Sequence, residues 1–229
     1  MNDAITVDAY YPADASSVRP VFVFAQGGLV GVDRYAWLLT HVASRGYVAV
    51  AAHHTFDLAF FEVDNPAIAY ESALTQLKGR IDATSPVAVA GHSLGGVTAA
   101  WLFESNSSWR GLAFFASYPA DRDVGQRGRA VLSISGATDK RALPPQVRDG
   151  LSNYADPKTL YFVPGMNHYA WTDGATTGEL SSDGVVEGEL EDVRKNALGV
   201  LDTWMDAILL QDASAAAALQ TLLLGSATP

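Results

Sequence analysis

The chain has 229 residues, no cysteine and five histidines, which excludes a disulfide scaffold, cysteine-ligated zinc and iron–sulfur clusters. Twenty-five acids against fifteen bases give a formal charge of −10, without the basic footprint that nucleic acid requires. A hydrophobic fraction of 48% with 17% charged residues is globular composition, and no apolar stretch approaches the roughly 20 residues that span a bilayer.

The start, Met1-Asn2-Asp3-Ala4, has neither a positive leader nor a following apolar region. No secretory signal is therefore expected, and the compartment stays open between the cytoplasm and a mature secreted form. Length favours one α/β domain over residues 1–229, and residues 211–229 read as an Ala/Leu-rich terminal helix or tail.

In chain order, residues 5–11 set Ile5, Val7 and Ala9 against Thr6, Asp8 and Tyr10, an alternation that predicts an antiparallel edge strand. Residues 20–25 are continuously apolar, as in a strand covered on both faces. Asp33 caps a helix running to about Ser44 and ended by Gly46, and a strand over 47–52 follows. A helix over 68–77, a strand over 86–90 and a helix from Ser93 come next. Strands over 112–116 and 130–135, a helix over 144–154 and a strand over 159–163 continue the pattern. The longest helix spans 187–210, with Val193, Ala197, Leu201, Trp204 and Ile208 as its core-facing stripe. Strands alternating with helices predict an α/β fold: a mostly parallel twisted sheet of about seven strands flanked by helices.

The strongest chemical signal is Gly91-His92-Ser93-Leu94-Gly95-Gly96, set between a strand and a helix. In Gly-x-Ser-x-Gly the serine occupies a turn so sharp that its hydroxyl projects from the carboxyl edge of the sheet. The glycines leave room for the neighbouring backbone, and the amide of Leu94, at a helix N-terminus, faces developing negative charge. A serine hydroxyl needs a base oriented by a third group. Of the histidines, His41 falls inside a helix, His53 and His54 end a strand and border the pocket region, and His92 points away from the turn. His168, in Pro164-Gly165-Met166-Asn167-His168 just past the last strand, is the expected base. Asp139, after Ser135-Gly136-Ala137-Thr138, is the expected acid; Asp121 and Asp123 are the fallback, and Asp173 lies too near His168 in sequence. The bland reading of Asp139 is a cap or turn former. Gly27-Gly28 after the early strand offers a second oxyanion donor, the Gly28 amide first and that of Leu29 as the alternative.

These residues resemble the α/β-hydrolase superfamily, and among its small members the bacterial single-domain serine hydrolases, which are related at this level to chlorophyllases and dienelactone-hydrolase-like esterases. The segments carrying the resemblance are 19–28, 35–39, 43–50, the elbow 91–96, 116–120, and the acid and histidine loops 135–139 and 164–168. Gln26 departs from the pattern where many relatives have histidine, and the chain begins at what looks like the family's second or third strand, so an edge strand is expected to be missing. The short stretch between Ala116 and Ala130 leaves no room for a large cap domain. The resemblance implies ester hydrolysis through an acyl-enzyme at Ser93, Asp139 and His168, with no metal or organic cofactor and a small-molecule ester as partner. A thioester, lactone or amide hydrolase on the same triad, or a non-catalytic binding module of this fold, are the alternatives. Leu29, His92, Tyr118, Met166 and Tyr169 are candidate substrate contacts, and aromatics of the carboxyl-edge loops, Phe56 and Phe61 among them, either line a pocket or pack their loops.

Overall fold

A strand that is apolar on both faces needs a layer of helices on each, and the central strands of this chain meet that need. A computed structural model describes residues 5–14, 17–118, 126 and 128–225. The strands are β1 Val7–Tyr10, β2 Val21–Ala25, β3 Val48–Ala52, β4 Val87–His92, β5 Gly111–Phe115, β6 Ala130–Gly136 and β7 Lys158–Val163. The α-helices are α1 Ala36–Ser44, α2 Asn65–Gln76, α3 Leu94–Ser105, α4 Pro144–Ser152, α5 Thr177–Asp183, α6 Leu190–Leu209 and α7 Ala213–Gly225. Among the described residues the seven strands form one sheet in the order β1-β3-β2-β4-β5-β6-β7. Only β1 runs antiparallel, on the outer edge of β3.

The two-residue period of a strand divides the core. Phe22 and Phe24 face one side with α1 and α6, where Trp171, Trp204 and Phe115 join them. Val21 and Val23 face the other, with α2, α3 and α4. The α6 stripe buries Val193, Ala197, Leu201 and Trp204, and Ile208 packs against it half-buried. Among the described residues no helix is long and apolar enough to cross a membrane.

Two local expectations are corrected. A 3-10 turn, Val32–Tyr35, precedes α1, and no side-chain bond from Asp33 caps either element. The longest helix starts at Leu190, because the Glu189 backbone is extended (φ −79°, ψ 127°).

Sequence reading passed over α5 altogether. It is short, but Thr176 and Glu179 form a capping box: Glu179 N–H donates to Thr176 Oγ1 at 3.2 Å and Thr176 N–H to Glu179 Oε2 at 2.7 Å. The same carboxylate takes a bidentate pair from Arg34, both bonds 2.8 Å, joining α5 to the turn before α1. Hydrogen bonding from Arg34 lowers the Glu179 pKa from 4.5 to about 2. A lowered folded-state value stabilises the fold fully above the unfolded value, and that contribution is lost as pH falls from about 4.5 towards 2. Glu179→Gln is therefore expected to cost about 1–2 kcal/mol at neutral pH, screening included. Urea denaturation should show the difference from wild type shrinking across that acid window.

β2 lies between β3 and β4, so the chain leaves β2 first to one side and then to the other. The crevice at such a switch point opens outside the carboxyl ends of the strands. Ala25 pairs with Gly91, His92 with Phe115 and Gly136 with Val163, which brings the ends of β2, β4, β5, β6 and β7 to one rim.

Candidate active site

Ser93 alone makes the turn from β4 into α3, with φ 52° and ψ −123°. A side chain in the left-handed region costs on the order of 1 kcal/mol or more, and the surroundings hold it there. Ser93 N–H donates to Phe115 O, Gly96 N–H to Ser93 O (both 3.0 Å), and Ser117 Oγ to the same carbonyl at 2.7 Å. The elbow glycines are sterically required. A Cβ on Gly91 would lie 2.1 Å from Gly95 O, and one on Gly95 would lie 2.3 Å from Ala25 O and Gln26 O. The second of these close approaches presses α3 onto the end of β2, beside the glycine loop.

In that loop the amides sort themselves. Gly27 N–H donates to Tyr35 Oη at 2.9 Å, Leu29 N–H to Asp57 O at 2.8 Å and Val30 N–H to Gly27 O at 3.3 Å. Among the described residues, the Gly28 amide has no intramolecular acceptor, and neither has Leu94 N–H at the start of α3. Leu29 N–H, the alternative donor, is already committed. Gln26 is buried and donates Nε2 to Asp57 Oδ1 at 3.2 Å, which ties this loop to the segment after β3.

Asp139 follows β6 and is buried. Its Oδ1 accepts the amides of Arg141 and Ala142, both at 2.7 Å, and its Oδ2 accepts from His168 Nδ1 at 2.9 Å. The turn-forming role and the orienting role thus coexist, one on each oxygen. Since a carboxylate only accepts, His168 donates this bond from Nδ1, and Nε2 is the ring nitrogen left outside the pair. Among the described residues no hydrogen bond closes between Ser93 Oγ and His168 Nε2; such contacts characteristically tighten around substrate. The fallback acids Asp121 and Asp123 lie outside the described residues. Asp173 accepts from Trp37 N–H at 3.2 Å, on the α1 side.

Sequence reasoning missed a second carboxylate. Asp183, the last residue of α5, is buried, with Oδ2 accepting His168 N–H at 2.6 Å and Oδ1 accepting Lys140 N–H at 2.8 Å. It joins the histidine loop to the acid loop. The loops also cross at Gly136, where a Cβ would lie 2.0 Å from Met166 O.

His92 links the elbow to both neighbouring loops. Its Nε2 lies 3.1 Å from His168 O and its Nδ1 2.8 Å from Tyr35 Oη. A carbonyl accepts only, so Nε2 carries the proton and Nδ1 accepts from the Tyr35 hydroxyl, which itself accepts from Gly27 N–H. Burial and the neighbouring His168 push the His92 pKa well below its ordinary value, and it stays neutral. Burial raises that of Tyr35. One neutral, directional chain therefore runs from the glycine loop through Tyr35 and His92 to the His168 backbone.

The expected substrate contacts divide. Leu29 is exposed, and Tyr118 and Tyr169 are half-buried, with Tyr169 set edge-on to His168 at 5.2 Å between ring centres. Met166 is fully buried in the core, and His92 is buried with both ring nitrogens engaged. Of the other histidines, His41 meets Asp202 at 2.9 Å, His53 meets Asp8 at 3.1 Å, and His54 is buried 3.5 Å from Glu62. A groove of about 1970 Å³, lined by Leu160, Phe162, Val200 and Leu222 among others, follows β7 between α4 and α6; none of the candidate catalytic residues lines it.

The fold and this geometry define an α/β protein built around a strand–serine–helix elbow. The family model of the alpha/beta hydrolase family matches residues 21–183, and the chain belongs to that family. Among solved structures, TT1662 from Thermus thermophilus is similar at 16% identity with a TM-score of 0.57, over 72% of this chain and 86% of that one; the likeness concerns the fold. None of the curated proteins matches the chain.

Proposed function

We propose that the protein is a serine hydrolase that cleaves carboxylic esters of short to medium acyl chain through an acyl-enzyme. Ser93 Oγ attacks the ester carbonyl while His168 Nε2 takes its proton. Gly28 N–H and Leu94 N–H receive the oxyanion, each donor worth about 3 kcal/mol in the transition state. His168 then protonates the departing alcohol and activates the water that releases the acid. The observation that carries this reading is the pairing of His168 Nδ1 with buried Asp139, which leaves Nε2 as the ring nitrogen for proton transfer on the loop tied to the serine elbow. Residues 116–129 alone separate β5 from β6, which supports an open site and shorter acyl groups.

A panel of p-nitrophenyl esters from acetate to palmitate tests it. The expected optimum lies at butyrate to octanoate; no ester turnover, with thioesters or amides cleaved instead, overturns the ester assignment. Asp183 is the positioning residue here. In Asp183→Asn one acceptor becomes a donor facing a backbone N–H, at a cost of about 1–3 kcal/mol. The His168 loop loosens, so kcat is expected to fall about tenfold or more with KM within twofold. Steady-state kinetics beside a thermal melt measure both.

A further inference from the structure

The C=O and N–H of a trans peptide point in opposite directions, so holding one group aims the other. In the Gly27–Gly28 peptide, Gly27 O accepts Val30 N–H at 3.3 Å, which turns the Gly28 amide the opposite way. In the peptide before it, Gly27 N–H donates to Tyr35 Oη at 2.9 Å. Both soft dihedrals of Gly27 are thus held from outside the residue. No side chain of its own could do so. A Cβ at position 27 would lie 2.7 Å from His92 Nδ1 and 2.9 Å from Tyr35 Oη, and the glycine that fits there has the widest backbone freedom of any residue.

The Tyr35 hydroxyl that takes the Gly27 proton still has its own proton to place. Among the described residues its acceptor is His92 Nδ1, and the other nitrogen of that ring donates to His168 O. Burial raises the Tyr35 pKa and lowers that of His92, so both stay uncharged and the direction of the bonds is kept. At the far end His168 is anchored at three groups: its ring Nδ1 by Asp139, its N–H by Asp183 and its C=O by His92. The His92 ring centre lies 4.7 Å from that of His168 and 5.7 Å from that of Tyr35, which leaves no layer between the three rings.

We propose that Tyr35 and His92 join Asp183 as positioning residues: they hold the glycine loop with Gly28 N–H aimed at the oxyanion and tie that loop to the backbone of the base. This assignment rests on the hydrolase reading of Ser93 and His168 and deepens it, since both side chains are buried and act through the groups that meet the substrate. An oxyanion exists only in the transition state, so a donor turned away from it lowers kcat and leaves ground-state binding nearly unchanged.

The test compares Tyr35→Phe, His92→Leu and His92→Asn with wild type by hydrolysis of p-nitrophenyl butyrate, by the rate of fluorophosphonate labelling and by thermal melting. Tyr35→Phe keeps the ring and leaves Gly27 N–H without its acceptor; kcat is expected to fall about 10- to 100-fold, KM to stay within about threefold, and labelling to slow in step with kcat. His92→Leu, which removes both ring nitrogens, should lose at least as much. His92→Asn returns an acceptor near the place of Nδ1 and should recover about tenfold over His92→Leu, the scale of one hydrogen bond. In Tyr35→Phe/His92→Leu the two losses should not multiply, because one chain broken twice loses about what it loses once. If Tyr35→Phe does not fold, the two His92 variants decide. Wild-type kcat in Tyr35→Phe, multiplying losses, or a lowered melting temperature with kcat intact overturns the positioning role and leaves the hydrolase reading standing. Labelling without ester turnover moves the substrate class, and the labelling rates then read the positioning role. Wild-type protein that neither cleaves the ester nor takes the label overturns the hydrolase reading, and this assignment with it.

Discussion

Replacing Ser93 by alanine is expected to reduce turnover of p-nitrophenyl butyrate by about 10⁶-fold, to a residual rate set by the remaining binding groups. The hydroxyl is the atom that becomes acylated in the proposed sequence, and no neighbouring group can take its place at the elbow. Labelling by a fluorophosphonate probe should vanish with it, since that reagent reports an activated serine. The fold should persist: the turn is held by Ser93 N–H to Phe115 O and by Gly96 N–H to Ser93 O, both backbone bonds that alanine retains. Ser93→Gly should be equally inactive, and glycine occupies φ near 52° without penalty, so it is expected to melt no lower than the alanine variant. Wild-type protein that resists the probe, or an alanine variant that still turns over, would move the nucleophile elsewhere.

Part of this arrangement was legible in the sequence because it is local. Val21-Phe22-Val23-Phe24 is apolar at every position and is buried on both faces, whereas the alternation at Val7-Asp8-Ala9-Tyr10 marks the antiparallel edge. The elbow was readable because its glycine pattern is local, and the demand on Gly91 comes from Gly95 four positions on, although that on Gly95 comes from the distant Ala25 and Gln26. Ser133-Ile134-Ser135-Gly136 and its following aspartate were readable as a strand, a break and an acid.

What escaped notice is tertiary. Asp183 acts on His168 fifteen positions away, from a helix of seven residues whose main local sign is the box at Thr176 and Glu179. The chain through Tyr35 and His92 joins residues 57 apart, and nothing in either segment announces the other. His92 and Met166 are expected as substrate contacts from their place at the elbow and in a carboxyl-edge loop, yet both are buried. A strand sends successive side chains to opposite faces, so His92, one residue before the serine, turns into the core. Met166 fills the crossing of two loops, with its carbonyl accepting Thr138 N–H at 3.1 Å.

Asp139→Asn is the other large effect expected, and the surrounding bonds dictate how it arises. At Asp139 the Oδ1 position faces two backbone donors, Arg141 N–H and Ala142 N–H. An asparagine must present its one oxygen there, because its amide nitrogen would leave both donors opposed. Its Nδ2 hydrogens then face His168 Nδ1, which can accept them only by giving up its proton. The ring is driven to the tautomer protonated on Nε2, the nitrogen that should take the proton from Ser93. Turnover is expected to fall by roughly 10⁴-fold, the scale such a tautomer reversal produces in serine proteases. KM should stay close to that of wild type, because binding of the ester does not involve this pair. Nitrogen-15 spectra of the His168 ring should show the proton on Nδ1 in wild type and on Nε2 in the variant. Activity within tenfold of wild type would mean that another carboxylate orients His168, and Asp121 and Asp123 would then be the acids to replace.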